Sequence, residues 1–307
     1  MMRHRHHIWR ALTWSFLAFL LSGCREKLSF SGPIFFEFKQ QPGDKYVYKV
    51  FDEVVWTFRD STGKIYDTVQ HAQEQKSIMK FTSIDSNAVR NIDLVFIITR
   101  DTTLKVAESS WWKKRKSPVG NKYEFELGMQ PNGGIVSVTS ARPAQTLFYD
   151  TAYRPSQPVF PATAIPVGYS WSKNFNINVP KGEPGAVEAE YKFSALERVG
   201  EFDCAVIEFK SQVDYTEPFN PREKCSSVAD CRGQYHSQTV SEGKLYFAYR
   251  EGFMVKKVNL ITANAEATLT QDGVVKTLSR TEQRDQETIT LVAIYRSSGE
   301  KLTFEIK

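Results

Sequence analysis

The sequence predicts an all-β protein, mainly antiparallel, made of two related curved-sheet or half-barrel halves with few short helices. Three observations lead to this fold class. Long stretches with a 3.6-residue apolar period are missing, short runs that alternate apolar and polar residues recur between turn residues, and these runs follow a similar order in the two parts of the chain. A period of two is typical of strands that bury one face.

Pairs of alternating runs flank three short turns and predict hairpins. The turns are Asp60-Ser-Thr-Gly63, Asp272-Gly273 and Ser298-Gly299. Aspartate, serine and glycine favour the backbone conformations of tight turns. Because strands joined by a short turn pair antiparallel, the sheet is expected to be mainly antiparallel.

The predicted repeat rests on segments that correspond between the halves. A turn followed by an aromatic strand opens each half, at residues 42–48 and 166–171. A strand that begins Lys-Phe follows in each half, at residues 80–84 and 192–196. Shared order and similar spacing indicate a duplication.

Between the halves, five prolines fall within 25 residues and predict a connector outside the strand ladder, because proline cannot donate a ladder hydrogen bond. Residues 144–152 within it are expected to form a short helix. The predicted organisation is a lipoprotein signal peptide (1–23), a lipid-anchored tether (24–33), a first β half (34–141), a proline-rich connector (142–166) and a second β half with a C-terminal hairpin (167–307).

The first 24 residues predict export. Arg3, Arg5 and Arg10 precede an apolar run over residues 11–21, which is too short to span a bilayer and is typical of a secretory signal. The sequence then reads Leu-Ser-Gly-Cys, which resembles the bacterial lipobox, whose cysteine becomes the acylated first residue of the mature chain. Cys24 is therefore the predicted lipidation site. The alternative is an ordinary secretory signal in which Cys24 has no role.

Composition removes nucleic acid from the expected partners. The formal charge is +5, and removal of the three leader arginines leaves about +2 on the mature chain. Most of the basic charge thus belongs to targeting, and a nucleic-acid footprint has no support. Apolar residues make up 41% and aromatic residues 13% of the chain, which is typical of a globular, strand-rich protein.

Three cysteines follow the lipobox. Cys225 and Cys231 lie six residues apart in a polar stretch, and an oxidising compartment favours a local disulfide between them. A two-cysteine metal site is the alternative, although no second Cys/His pair has zinc-ligand spacing. Cys204 lies in an apolar, strand-like segment and is expected to be a buried, unreactive thiol.

One segment of the mature chain combines aromatic and basic residues. Indoles and cations together suit a lipid headgroup layer, which would add a second membrane contact to the acyl anchor. The alternative is a solvated loop whose indoles cover a sheet edge while its lysines prevent edge pairing. The predicted interface residues are Trp111, Trp112, Lys113, Lys114, Arg115 and Lys116.

No catalytic motif is present. Carboxylates lack a recognisable acid–base context, a Gly-x-Ser-x-Gly elbow is missing, and no glycine-rich phosphate loop precedes a helix. After cleavage of the leader two histidines remain, His71 and His236, and His236 is expected at the surface. We therefore expect no catalytic residues, no cofactor and no metal.

A resemblance can be added to these motifs. The chain resembles uncharacterised bacterial lipoprotein families in three features: the lipobox, the glycine-aromatic strand that opens each half, and the proline-rich segment at residues 160–171. Those families are distantly similar to the lipoprotein-carrier (LolA/LolB-like) half-barrel group. The resemblance implies curved antiparallel sheets with a concave apolar surface. It implies no catalytic residue.

The expected function is that of a non-catalytic lipoprotein, held at the bilayer by its acyl anchor, that binds an apolar ligand or an envelope component. A structural or assembly subunit of an envelope protein complex is the alternative, and an envelope hydrolase is the third option. Arg25 follows Cys24 in place of the aspartate that retains many lipoproteins in the inner membrane, which favours the outer membrane.

Overall fold

A single antiparallel sheet organises the molecule. The computed structural model describes residues 32–106, 111–177, 179, 182–219, 231–271 and 273–306. Twelve strands in this part of the chain form one sheet, which confirms the expected all-β, antiparallel, curved architecture. The strands are β1 (Lys45–Asp60), β2 (Ile65–Ile84), β3 (Arg90–Val106), β4 (Lys122–Met129), β5 (Ile135–Thr139), β6 (Ser170–Ile177), β7 (Gly185–Val199), β8 (Phe202–Phe219), β9 (Cys231–Ala248), β10 (Phe253–Gln271), β11 (Val274–Tyr295) and β12 (Lys301–Thr303).

Two meanders meet in the middle of the sheet. The strand order is β5-β4-β3-β2-β1-β11-β10-β9-β8-β7-β6, and β12 pairs with β11. The first predicted half therefore supplies β1–β5 and the second supplies β6–β12. Antiparallel pairing of β1 with β11, from Lys45 opposite Tyr295 to Asp60 opposite Ser279, joins them. The two predicted halves are parts of one continuous sheet.

The three predicted hairpins join β1 to β2, β10 to β11, and β11 to β12. Gly63, Gly273 and Gly299 in their turns all have positive φ angles, which glycine adopts without strain. The strands are longer than the alternating runs suggest, since β1 joins two of those runs into one 16-residue strand. The register of β1 shifts by one residue against β11 between Val47 and Tyr48, and against β2 between Phe58 and Arg59. Extra residues of this kind bend a strand and increase its twist.

The opening turns of the two halves share a hydrogen-bond pattern. The Gly43 amide donates to the Phe81 carbonyl at 2.7 Å, and the Gly168 amide donates to the Phe193 carbonyl at 2.6 Å. The amides of Phe81 and Phe193 in turn donate to the residue after each glycine. Both glycines have φ near +90°, a conformation that L side chains rarely adopt. Duplication itself stays a prediction.

Aromatic side chains fill one end of the concave face. The segment over residues 34–40 runs across it and places Phe36, which is 1% exposed, in the core. The Phe36 ring stacks on Phe160 of the connector with centroids 4.9 Å apart, and meets Phe193 edge-on at 5.2 Å. Backbone bonds of 2.9 Å in both directions between Ile34 and Ile165 hold the two segments together. The concave apolar surface is thus covered by the chain itself.

The proline-rich connector belongs to this core. It contains α1 (Pro143–Phe148), a π-helical turn (Tyr149–Tyr153) and a 3₁₀ turn (Arg154–Ser156), which confirms the expected short helix. The density of prolines favours extended backbone in the connector, and within it Pro155 and Ser156 lie in the 3₁₀ turn and are buried. Its carbonyls find partners inside the molecule, because the Tyr191 hydroxyl donates to the Pro155 oxygen at 3.1 Å.

Cys204 is fully buried as a free thiol on β8, as the sequence predicts. Burial raises the pKa of this thiol, which keeps it protonated and unreactive.

Most of the N-terminal predictions concern residues 1–31, including Cys24, which lie outside the described part of the chain.

Adjacent phenylalanines test the role of the internal segment. We expect Phe36→Ala to lower the free energy of unfolding by about 3–5 kcal/mol, because it empties the centre of an aromatic cluster. Phe35→Ala is the matched control, since Phe35 is 53% exposed, and it should change stability by less than about 0.5 kcal/mol. Denaturant unfolding followed by tryptophan fluorescence measures both. Equal losses in the two variants would show that residues 34–40 do not anchor the core.

Candidate functional site

A cavity of about 410 Å³ lies on the concave face beyond the aromatic end. Small inward-facing side chains leave this space open: β9 contributes Ser237 and Thr239, and β10 contributes Ala263 and Ala265. Each alanine lies directly opposite one of these hydroxyl residues in the register of the sheet. Thr281 on β11 lines the cavity and is partly exposed, so solvent reaches the cavity at this end.

Buried carboxylates line the deeper wall. Asp52 on β1 lies directly opposite Glu287 on β11, and Asp285 follows two residues away on the same face. All three are at least nine-tenths buried. The Lys257 ammonium lies 2.8 Å from Glu287 Oε1 and donates to Ser156 Oγ at 3.0 Å. The connector therefore helps to position the lysine that partly neutralises the acids.

The carboxyl groups disfavour one another's ionisation. Burial raises the pKa of Asp285 to about 7, with a further increase from the charge of Glu287 and an opposing effect of Lys257. The pKa of Asp52 is also raised, chiefly by burial and then by the charges of Glu287 and Asp285, although Gln75 donates to its Oδ2 at 2.8 Å. A carboxyl group that titrates near neutral pH inside a cavity marks a candidate functional site.

Aromatic rings line another part of the cavity. Trp56 of β1 stacks on His71 of β2 with centroids 4.6 Å apart, and Trp112 packs on both rings at 4.9 and 5.1 Å. The Trp112 indole donates to Thr103 Oγ1 at 3.1 Å, while the Arg115 guanidinium lies 3.9 Å from the Trp112 ring centroid. The cavity thus combines carboxylates with π faces.

The predicted membrane-interface loop contributes to this wall. Trp112 is 8% exposed and packs on Trp56 of β1 and His71 of β2, which lie inside the sheet and not at the sheet edge that the alternative interpretation names. Arg115 forms an ion pair with the buried Asp101. Lys113, Lys114 and Lys116 are exposed, and the side chain of Trp111 lies outside the described part of the structure. Membrane contact by the lysines stays untested.

The two histidines have different surroundings. Burial lowers the pKa of His71, and neither of its ring nitrogens has a hydrogen-bond partner among the described residues. His71 Nδ1 lies 3.6 Å from Asp101 Oδ1, beyond hydrogen-bonding distance. His236 is exposed on β9, which confirms its predicted surface position.

The other predicted sites have no test here. Cys225 and the side chain of Cys231 lie outside the described residues, so the proposed disulfide stays a prediction. Within the described ranges, no group of three or more His, Cys, Asp and Glu residues is placed to hold a metal ion. No helix of this part of the chain is long and apolar enough to cross a membrane.

Sequence reasoning missed the carboxylate cluster, because single acidic residues in strands look like parts of a solvated face. The alternation of core-facing and exposed positions along each strand was the available signal. Asp285 and Glu287 alternate in step with Ile289 on β11, and Asp52 alternates in step with Val50 on β1. Acidic residues at core-facing positions indicate a polar interior.

Asp285 makes stability depend on pH. Its folded pKa of about 7 exceeds the ordinary 3.8, so the folded protein binds more protons than the unfolded chain between these values. The free energy of unfolding therefore falls as pH rises through that window. Asparagine cannot ionise, so Asp285→Asn should not lose this stability. Between pH 5 and pH 8, the free energy of unfolding of Asp285→Asn should rise by about 1–3 kcal/mol relative to that of the wild type.

Denaturant unfolding at both pH values measures this difference. The matched control is Asp93→Asn, on the exposed face of β3, which should keep the wild-type pH dependence. Identical pH dependence of Asp285→Asn and the wild type would contradict the assignment.

The comparisons with known proteins are remote. No protein-family model and no curated protein matches the sequence. A solved Bacteroides fragilis protein with a YmcC-like fold is 10% identical, with 83% of this chain and 97% of that chain covered and a TM-score of 0.23. A solved outer membrane channel from Pseudomonas putida F1 is 6% identical, with 85% and 100% covered and a TM-score of 0.22. TM-scores this low carry no argument about fold or function, and the resemblance to the lipoprotein-carrier group stays a prediction.

Proposed function

We propose that the protein is a non-catalytic, lipid-anchored component of the bacterial envelope that binds a small ligand in its internal cavity. The observation that carries the binding function is the cavity of about 410 Å³ with buried, incompletely partnered polar groups on its wall. Its volume lies within the range of small-molecule sites. The leader and Cys24 support the anchor and the envelope location, with the outer membrane favoured by Arg25.

The structure changes the ligand that we propose. An apolar ligand was expected on a concave apolar surface, but Phe36, Phe38 and Phe160 occupy that surface. The open space has carboxylates on one wall and indole rings on another. A ligand with a polar group and an apolar body matches this lining better than a purely apolar chain does.

Binding is favoured over hydrolysis by the surroundings of the histidines. Thr216 Oγ1 lies 3.2 Å from His236 Nδ1, and Asp214 Oδ1 lies 3.6 Å from the same nitrogen. In a catalytic triad the hydroxyl and the carboxylate contact opposite ring nitrogens, so that the proton passes through the ring. Thr216, His236 and Asp214 therefore lack the arrangement that passes a proton through the ring. The His71 ring has no hydrogen-bond partner among the described residues.

An assembly subunit is the second candidate function. A groove of about 1,100 Å³ on β6–β11 carries charges of both signs, including Lys192, Lys210, Glu242 and Arg284. Alternating charges can give a protein interface its register and specificity. Crosslinking in intact membranes, followed by identification of the crosslinked partner, would support this candidate if one stoichiometric partner attaches through the groove.

The anchor has a direct test. We expect Cys24→Ser to abolish incorporation of labelled palmitate and to release the protein from the membrane fraction, because the acyl chains would have no attachment site. Cys225→Ser is the matched control and should keep both label and membrane attachment. Labelled Cys24→Ser protein would show that acylation occurs elsewhere or that the leader is an ordinary secretory signal.

The cavity has a test of its own. We expect protein extracted gently from its native membranes to retain a small molecule that native mass spectrometry detects, and Ala263→Leu to lose it, because leucine fills the cavity. Thr262→Leu is the matched control, since Thr262 is exposed on the same strand. Equal retention by both variants, or no bound molecule in the wild type, would count against ligand binding in the cavity.

A further inference from the structure

Acidic side chains outnumber basic ones around the cavity in the described part of the chain. Asp52, Asp285 and Glu287 are buried together, and the Lys257 ammonium lies against Glu287. Arg115 lines the cavity but forms its ion pair with Asp101, so Lys257 is the one cation that the described residues place against the carboxyl cluster. Buried charges are normally paired, because an unpaired charge loses its hydration without compensation.

One buried carboxylate oxygen at the cavity wall lacks a hydrogen-bond donor. Asp285 lines the cavity and is 9% exposed, and its Oδ1 atom has no hydrogen-bond partner in the described part of the chain. A buried acceptor without a donor costs about 1–3 kcal/mol, which a donor brought by a ligand would recover. Burial and the neighbouring Glu287 raise the pKa of Asp285, as expected for an acid that lacks a cation.

Aromatic side chains line the same space. Tyr153 of the connector, Tyr215 of β8, Tyr235 of β9 and Trp56 of β1 line the cavity. The electron-rich faces of such rings attract cations, and tryptophan does so most strongly. Several aromatic rings beside carboxylates form the lining that recognises ammonium groups with carbon substituents, because the rings contact the carbon atoms while the carboxylates hold the charge.

We propose that the cavity binds an organic cation, an ammonium-bearing small molecule whose charge pairs with Asp285 and Glu287 and whose carbon substituents pack on Trp56 and the tyrosines. This inference rests on the proposed binding function and names its ligand class. Aromatic contacts favour an organic cation over a metal ion, which needs several oxygen ligands at fixed distances. The open volume also exceeds the needs of a bare ion.

Choline and 3,3-dimethyl-1-butanol make a matched pair of probes, because they have nearly the same shape and only choline is charged. We would titrate each into the acylated wild-type protein in a non-ionic detergent, by calorimetry and by tryptophan fluorescence, with benzyltrimethylammonium as a larger cation. We expect both cations to bind with a Kd of about 1 mM or tighter and the neutral alcohol to bind at least about tenfold more weakly.

Variants locate the site. Asp285→Asn should weaken choline binding about tenfold, because it removes the charged acceptor while it keeps the shape. Asp52→Asn provides a second variant, and Asp93→Asn, on the exposed face of β3, should bind choline like the wild type. Denaturant unfolding of each variant verifies that it folds.

The outcomes separate this inference from the binding function. If the neutral alcohol binds as tightly as choline, or if Asp285→Asn binds choline unchanged, the cation inference is overturned and ligand binding survives. If neither cation binds while the native protein carries a neutral or anionic molecule, the inference is again overturned alone. If no probe binds and the native protein carries nothing, both proposals fail.

Discussion

An open, strongly curved sheet must bury the apolar half of its concave face, and Phe36 and Phe160 meet this constraint together. Their rings stack at 4.9 Å between strands that are distant in sequence, and the paired backbone groups of Ile34 and Ile165 fix the two segments to each other. The segment before β1 and the connector after β5 contribute Phe36 and Phe160 to the buried cluster and are therefore core elements. The position of Ser156, and through it that of Lys257, follows from this packing.

The interior divides into two environments along the same strands. Bulky side chains such as Tyr46 and Phe247 fill one end, and small residues such as Ala263 and Ser237 leave the other end open. Lys257, Ser156 and Gln75 compensate the buried carboxylates in part, and the raised pKa values of Asp52 and Asp285 favour their neutral forms. The incomplete balance of charge is what turns a packing feature into a candidate ligand site. In the binding function that we propose, a cation would supply the partner that Asp285 Oδ1 lacks among the described residues.

Several features were predictable because they depend on neighbouring residues. The hairpins at Gly63, Gly273 and Gly299 follow from local turn chemistry, and the burial of Cys204 follows from its apolar surroundings in the strand. The connector helix was also local. By contrast, Trp112 is adjacent to exposed lysines in sequence, and its packing on Trp56 and His71 depends on how three separate segments converge. The carboxylate cluster was not predictable for the same reason, because its members lie on different strands.

The sequence by itself determined the fold class, the main turns and the expectation of an exported, acylated chain. Each of these depends on residues that are contiguous in the chain: the alternation of apolar and polar residues, the turn residues and the leader. Only the tertiary structure decided that the two predicted halves share one sheet, since the pairing of β1 with β11 joins residues more than 200 positions apart. It also decided which side chains face the cavity. Asp52 and Glu287 become neighbours because strand register, which no local pattern encodes, places them opposite each other on one concave face.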